Sequence, residues 1–148
     1  MKILQQACLM LSAMPLCIAA ASPAWAAEIT VDGNDPAIAC TLADAITAAN
    51  TDIATGNCAA GSDEDTIILQ TDVTLTAAAL PQISSTITIE GNDHFISGNN
   101  DEDVGSVLYI NATGNLTLNE VIVQDGKAGA GGGIYNQGTV TLNSSTVS

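Results

Sequence analysis

From Asp65 to Ser148, apolar and polar residues alternate in short runs broken by glycine and asparagine. Thr66-Ile67-Ile68-Leu69, Val73-Thr74-Leu75-Thr76, Thr86-Ile87-Thr88-Ile89 and Ser106 to Ile110 show the period of two expected of a strand with one buried face. Leu116 to Leu118, Val121 to Val123, Gly133 to Tyr135, Thr139 to Leu142 and Thr146-Val147 continue the series. Gly91-Asn92, Gly98-Asn99-Asn100, Gly114, Gly126 and Gly138 mark the breaks between them. Ile87 and Ile89 share one face, as do Leu116 and Leu118, then Val140 and Leu142. The threonines and asparagines between them are left to solvent and the turns.

The pattern also returns at a fixed interval. Asn115-Leu116-Thr117-Leu118-Asn119 is answered one period later by Thr139-Val140-Thr141-Leu142-Asn143, and Val123 is answered by Val147 at the same offset. Short strands at such a period predict an all-β solenoid, a right-handed parallel β-helix with three short strands in each coil of about 25 residues. A narrow core of stacked aliphatic side chains leaves little room for aromatics, which make up 3% of the chain. A β-sandwich also has regularly spaced strands. It does not require the echo between these segments or the glycine run over 129–133.

Ahead of the coils, Glu28 to Asp32 predicts a strand with Ile29 and Val31 on one face, and Gly33-Asn34-Asp35-Pro36 a turn. A single helix follows. Thr41 is its N-cap, with Asp44 three residues on, close to a capping box. Leu42, Ala45, Ile46 and Ala49 share one helical face, and Asn50 and Gly56 end the pattern. The open backbone edge of a first coil would recruit other chains unless covered. Residues 27–64 therefore read as an N-terminal cap and 65–148 as coils. A strand pattern is still running at Thr146-Val147-Ser148, which predicts that the β-helix is incomplete there and that any further cap, anchor or catalytic coil lies beyond.

The first residues change the picture of charge. Lys2 precedes an apolar stretch from Ile3 to Ala21, interrupted by Pro15, and Ala24-Trp25-Ala26 is the small-x-small pattern that signal peptidase reads. Residues 1–26 are predicted to be a signal peptide, cleaved before Ala27. Pro15, Gln5, Gln6 and the short span argue against a retained anchor. Neither Cys8 nor Cys17 follows a convincing lipobox, and no later segment is apolar enough to cross a bilayer as a helix. After cleavage Lys127 alone stands against 16 acidic side chains, a net charge of −15, and the chain has no arginine. Phosphate binding draws mainly on Lys and Arg, so nucleic acid is excluded as a partner and anionic lipid disfavoured.

Cys40 and Cys58 are the cysteines that survive cleavage, and in an exported chain they most simply form one disulfide. A metal site would need further ligands, and His94 is the only histidine.

These residues resemble a known group. Cys40-Thr41-Leu42-Ala43-Asp44-Ala45-Ile46, with Ala49-Asn50 and Gly56-Asn57-Cys58, resembles the Cys-Ser-Leu-Arg-Glu-Ala segment of bacterial surface β-helix proteins. Asp65-Thr66-Ile67, Ile89-Glu90-Gly91-Asn92 and Ile96-Ser97-Gly98 continue the likeness. Gly131-Gly132-Gly133-Ile134-Tyr135-Asn136 and Thr139 to Ser148 are similar to polymorphic outer-membrane protein repeats. Ala43 stands where the group usually has arginine, and Gly-Gly-Gly-Ile replaces Gly-Gly-Ala-Ile. The resemblance implies an exported, cell-surface or extracellular protein of a bacterium, sometimes adhesive or autotransported, and transfers no catalytic residue.

Candidate chemistry is sparse. Asp63-Glu64-Asp65 and Asn100-Asp101-Glu102-Asp103 offer the hard oxygens that Ca²⁺ prefers, which makes Asp63, Asp65, Asp101 and Asp103 weak calcium candidates. Neither run has EF-hand spacing, and both read first as solvated turns. Polysaccharide lyases and hydrolases also use this fold, and a hydrolase would need two carboxylates facing one cleft, about 5–10 Å apart. No such pair stands out along the strands. His94 beside Asp93 is a candidate base, with a turn residue as the plainer reading. Asn92, Asn99, Asn119, Asn136 and Asn143 recur near strand ends, where amides stack from coil to coil or take left-handed turns. Three glycosylation sequons, at Asn111, Asn115 and Asn143, carry little weight beside a bacterial-looking signal.

The expectation is an exported scaffold, adhesin- or passenger-like, with no catalytic residue and no resident cofactor in this portion. Its partners would be carbohydrate or the surface of a host or neighbouring cell. The alternatives are the N-terminal part of a carbohydrate-active enzyme whose active coils lie beyond Ser148, and a calcium-stabilised module.

Overall fold

The computed structural model describes residues 26–76 and 78–148. Apart from Ala26, the predicted leader, with Cys8, Cys17 and Pro15, lies outside the described residues. The elements are β1 (Ala27–Val31), α1 (Leu42–Thr51), β2 (Glu64–Leu69), β3 (Val73–Thr74), β4 (Thr86–Glu90) and β5 (Phe95–Ser97). They continue as β6 (Leu108–Ile110), β7 (Asn115–Asn119), β8 (Ile122–Gln124), β9 (Ile134–Asn136), β10 (Thr139–Asn143) and β11 (Thr146–Val147).

The strands wind into a parallel β-helix with three sides. One side is the sheet β1-β2-β4-β7-β10, the second β11-β8-β5-β3, and the third β6-β9. All the strand pairs are parallel. A bridge from Ile83 to Ile110 extends the third side by one coil. The echo in the sequence is the register itself, with Val140 opposite Leu116 and Leu142 opposite Leu118.

Inward positions stack into columns. Ile29, Ile67, Ile89, Leu118 and Leu142 lie one above another on the first side. Val73, Ile96, Val123 and Val147 do so on the second. The coil length between successive members is not constant. Leaving aside the step from Ile29 to Ile67, which contains the helix, it is shortest from Ile67 to Ile89, longest from Ile89 to Leu118, and intermediate from Leu118 to Leu142. The extra residues bulge outward at the turns, so the inward phase survives where a strict repeat in sequence does not. Strand β5 is too short and too mixed in composition to show the alternation. Only Ile96 of its three residues is aliphatic, and the expected series passed over it.

The turns depend on residues that tolerate left-handed backbone. Asn92 and Asn99 have φ of 49° and 55°. Glu120 and Ser144, one coil apart, have φ of 53° and 50°. Beside them runs a ladder of side chains. Asn143 Nδ2 donates to Asn119 Oδ1 at 2.8 Å, and Asn119 Nδ2 to Glu90 Oε1 at 2.6 Å. Asn136 instead accepts the Gly138 N–H at 2.9 Å and closes a turn. Glycine is required at Gly114 and Gly138 for another reason. A Cβ on Gly114 would meet the Ile83 carbonyl oxygen, and one on Gly138 the Gly114 and Asn111 oxygens of the coil beneath.

At the N-terminal end, α1 takes the place of the second and third sides. Leu42, Ala45, Ile46, Ala48 and Ala49 are buried, in one core with Ile29, Ile67 and Leu69. Thr41 Oγ1 accepts the Asp44 N–H at 3.2 Å and donates to Asp44 Oδ2 at 3.0 Å. The carboxylate therefore holds the hydroxyl and does not complete a reciprocal capping box. Asn50 does not stop the helix, which runs to Thr51 and ends on Asp52 with φ 57°. Asn50 clamps it instead, donating to Gln82 O at 2.8 Å and accepting the Ser84 N–H at 2.9 Å. Cys40 and Cys58 are disulfide-bonded, with their Cα atoms 4.7 Å apart. The cap covers the core of the first coil, while β1 stays the terminal strand of its sheet.

Both the bridge and the helix of the cap are open to test. The Cys40→Ser/Cys58→Ser double variant should lose about 3 kcal/mol of unfolding free energy, by the entropy of a closed loop of this size, when urea titrations are compared with the parent. Ile46→Asp, which buries a charge in a site with 0% exposure, should release the cap and produce aggregates in light scattering. A monomeric variant that melts like the parent would contradict the packing of α1.

Candidate functional site

A groove of about 260 Å³ lies where the cap meets the second side. One wall is the start of α1, from Thr41 to Asp44, and the other is β3 with Leu75, Thr76, Ala78, Ala79 and Leu80. Its apolar lining comes from Leu42, Val73, Leu75 and Leu80, and its polar lining from Asn34, Thr41, Thr74 and Thr76. The position has a topological cause. Strand β3 ends its sheet, because the coil before it supplies a helix where the next strand would be. One edge of β3 therefore faces a groove, not a neighbour.

Asp44 is the acid lining this groove among the described residues, and its Oδ2 is held by the Thr41 hydroxyl. Asn34 Nδ2 donates to Asp72 O at 3.0 Å. The groove can take an extended chain and offer it hydroxyls, amides and a small apolar floor. It presents no pair of facing carboxylates among the described residues.

His94 has a different partner from its neighbour in sequence. Its Nδ1 stands 3.0 Å from Asp72 Oδ1, in the coil beneath, and not beside Asp93. An ionised carboxylate only accepts, so Nδ1 carries the hydrogen. The same oxygen accepts the Phe95 N–H at 3.2 Å. The His94 ring N–H holds the Asp72 carboxyl below the ordinary aspartate range, with the Phe95 N–H adding to it. Asp72 and His94 are separated by the same step as Ile67 and Ile89, and this spacing was the signal available in the sequence.

The acidic candidates separate. Asp63 is exposed, but Asp65 is 3% exposed and points into the core from β2. The reading of Asp63-Glu64-Asp65 as a solvated turn fails at Asp65. Alternation places it on the face of Ile67 and Leu69, a phase visible in the sequence. Burial pushes its carboxyl above the ordinary aspartate range, against the pull of the Ser62 backbone N–H, and the charge of Asp52 adds to the rise. Asp101 Oδ1 accepts the Asp103 N–H at 2.9 Å, and Glu102 Oε1 is 2.8 Å from Lys127 Nζ. Among the described residues no three His, Cys, Asp or Glu side chains converge to hold a metal ion. Sequence reading also missed an aromatic pair. Tyr109 and Tyr135, opposite one another in β6 and β9, stack with ring centres 4.9 Å apart.

Comparison with known families, curated proteins and solved structures returns no match to this chain. Among the described residues no helix is long and apolar enough to cross a membrane.

The Asp72–His94 contact carries a pH dependence with a defined sign. Asp72 has a lower pKa folded than unfolded, so its contribution is complete above the ordinary aspartate pKa of about 3.9 and is lost as pH falls through the depressed value. The gap in urea midpoint between the parent and Asp72→Asn should be fully present at about pH 5 and shrink below about pH 4. A gap unchanged down to pH 2 would show that the carboxylate's charge is not what His94 and Phe95 recognise.

Proposed function

We propose that the chain is an exported cell-surface or extracellular β-helix scaffold of a bacterium, adhesin- or passenger-like, whose partners are carbohydrate or the surface of another cell. The observation that carries this reading is the Cys40–Cys58 disulfide closing a helical cap over one end of a β-helix. A structural disulfide persists where the surroundings are oxidising, which is the condition met beyond the cytoplasmic membrane. The small-x-small pattern before Ala27 supports the same reading from the other side of the argument.

The stacked form suits a scaffold physically. Each coil advances the molecule by about 4.8 Å, so length is set by coil number and not by any single long-range contact. Outward positions are mostly threonine and asparagine, which tolerate change without disturbing the columns inside. An excess of 15 negative charges keeps such a surface hydrated and repels nucleic acid. The groove beside β3, with its hydroxyls, amides and small apolar floor, suits a neutral or cationic glycan better than an acidic one.

The test is the fate of a full-length chain with a C-terminal epitope tag in a Gram-negative host. The mass of the exported product should correspond to a start at Ala27, its two cysteines should resist alkylation until reduced, and protease added to intact cells should remove the tag. A cytoplasmic chain that begins at Met1 and has free thiols would overturn the proposal.

A further inference from the structure

One carboxylate on the first side occupies a place that the pattern reserves for aliphatic residues. The column Ala27, Asp65, Ile87, Leu116, Val140 runs through all five strands, and Asp65 is its only charged member. Asp65 Oδ1 accepts the Ser62 N–H at 2.7 Å and stands 3.5 Å from Ser62 Oγ. Oδ2 is buried with no hydrogen-bond partner among the described residues. It is closely roofed, since a Cβ on Gly61 would come within 2.7 Å of it and within 2.8 Å of Ala48 O in α1. A buried acceptor left unpaired is costly and calls for an explanation.

The neighbour in the column supplies one. Ala27 is the register partner of Asp65, and its nitrogen donates to Ser62 Oγ at 3.0 Å. While Ala27 is joined to Ala26, that nitrogen is a neutral amide with a single hydrogen, engaged by Ser62 Oγ and pulling only weakly on the Asp65 carboxyl. Hydrolysis of the Ala26–Ala27 bond adds hydroxyl to the Ala26 carbonyl carbon and hydrogen to the Ala27 nitrogen. The new α-amine, with an ordinary pKa of about 7.7–8.0, takes a proton from the medium and becomes a cation with three N–H donors.

We propose that the α-ammonium of Ala27, freed by cleavage after Ala26, is the partner of Asp65, so that processing completes a buried ion pair at the start of the β-helix. This rests on the reading of residues 1–26 as a cleaved leader. One N–H keeps Ser62 Oγ and a second turns to the carboxylate. Ala27 is half-buried, so the third remains within reach of water. The pair pins β1 at its free end, where a terminal strand otherwise frays. The uncleaved chain lacks the counter-charge and is held less firmly, which favours a chain still in transit.

The experiment is a thermodynamic cycle on exported, processed protein. Inserting Gly-Ser between Ala26 and Ala27 gives a processed chain in which Ala27 is again an amide, the linkage around which the fold is described. Both chains are made with Asp65 and with Asp65→Asn, and urea unfolding is measured on all four. The chain that begins at Ala27 should have an unfolding equilibrium constant about 10-fold or more below its Gly-Ser counterpart when Asp65 is present, and within about twofold of it in Asp65→Asn. An equal ratio in both backgrounds, or none in either, overturns the ion pair. Should Asp65→Asn not fold, acylation of the Ala27 α-amine on the parent provides the readout. It should be about 10-fold slower than acylation of the Gly-Ser amine, and equal rates refute the proposal. A product mass that places the start elsewhere sinks the leader and the pair together, whereas a failed cycle on a chain confirmed to begin at Ala27 removes the pair alone.

Discussion

Coil-on-coil packing of aliphatic side chains is the interaction on which everything else in this molecule depends. Ile67, Ile89 and Leu118 occupy equivalent positions and each is 0% exposed, whereas Leu142, in the last described coil, is 47% exposed. All four are aliphatic and hold the same place in their strands, and the difference is whether another coil lies on top. Burial here is thus a property of neighbours in the stack, as expected of a quasi-one-dimensional protein. At roughly 25 cal/mol per Å² of apolar surface removed from water, each coil is stabilised largely by the faces of the two beside it.

That constraint explains what varies and what does not. Unequal coil lengths along the Ile67, Ile89, Leu118 and Leu142 column are tolerated because insertions occur at turns, outside the columns. The inward residues cannot slip by one, since a strand's faces alternate and a slip would exchange aliphatic for polar along the whole row. Left-handed residues such as Asn92 and Glu120 turn the chain at a fixed place, and the Glu90–Asn119–Asn143 ladder holds adjacent coils in step. Gly114 and Gly138 let consecutive coils approach at one corner, where a methyl group would strike a carbonyl.

A stack needs an end, and the cap provides one by breaking the repeat. Putting α1 in place of two sides covers the first coil's core, and the disulfide ties the loops flanking the helix. The same substitution leaves β3 without an outer neighbour and so opens the groove. It also puts Asp65 beneath Ala27, in a column that is aliphatic from Ile87 onward. The features that depart from regular packing therefore gather around the cap, and the candidate functions gather with them.

Much of this was legible in the order of residues. Alternation, the echo between Leu118 and Leu142, the Thr41 cap, the apolar face of α1 and the cysteine pair depend on local spacing or on a simple period, and local spacing is what a sequence displays. The inward phase of Asp65 was equally visible, but a run of three acids suggested solvent more strongly than alternation suggested core. The Asp72–His94 contact, the Tyr109–Tyr135 stack, the Asn50 clamp and the groove became definite only in three dimensions. Each joins residues from different coils or from cap and coil, and the distance between them depends on irregular turn lengths that no fixed period encodes. The sequence by itself determined which side chains face inward; the tertiary structure alone decided which of them meet, because coils of unequal length are brought into register by packing and not by counting.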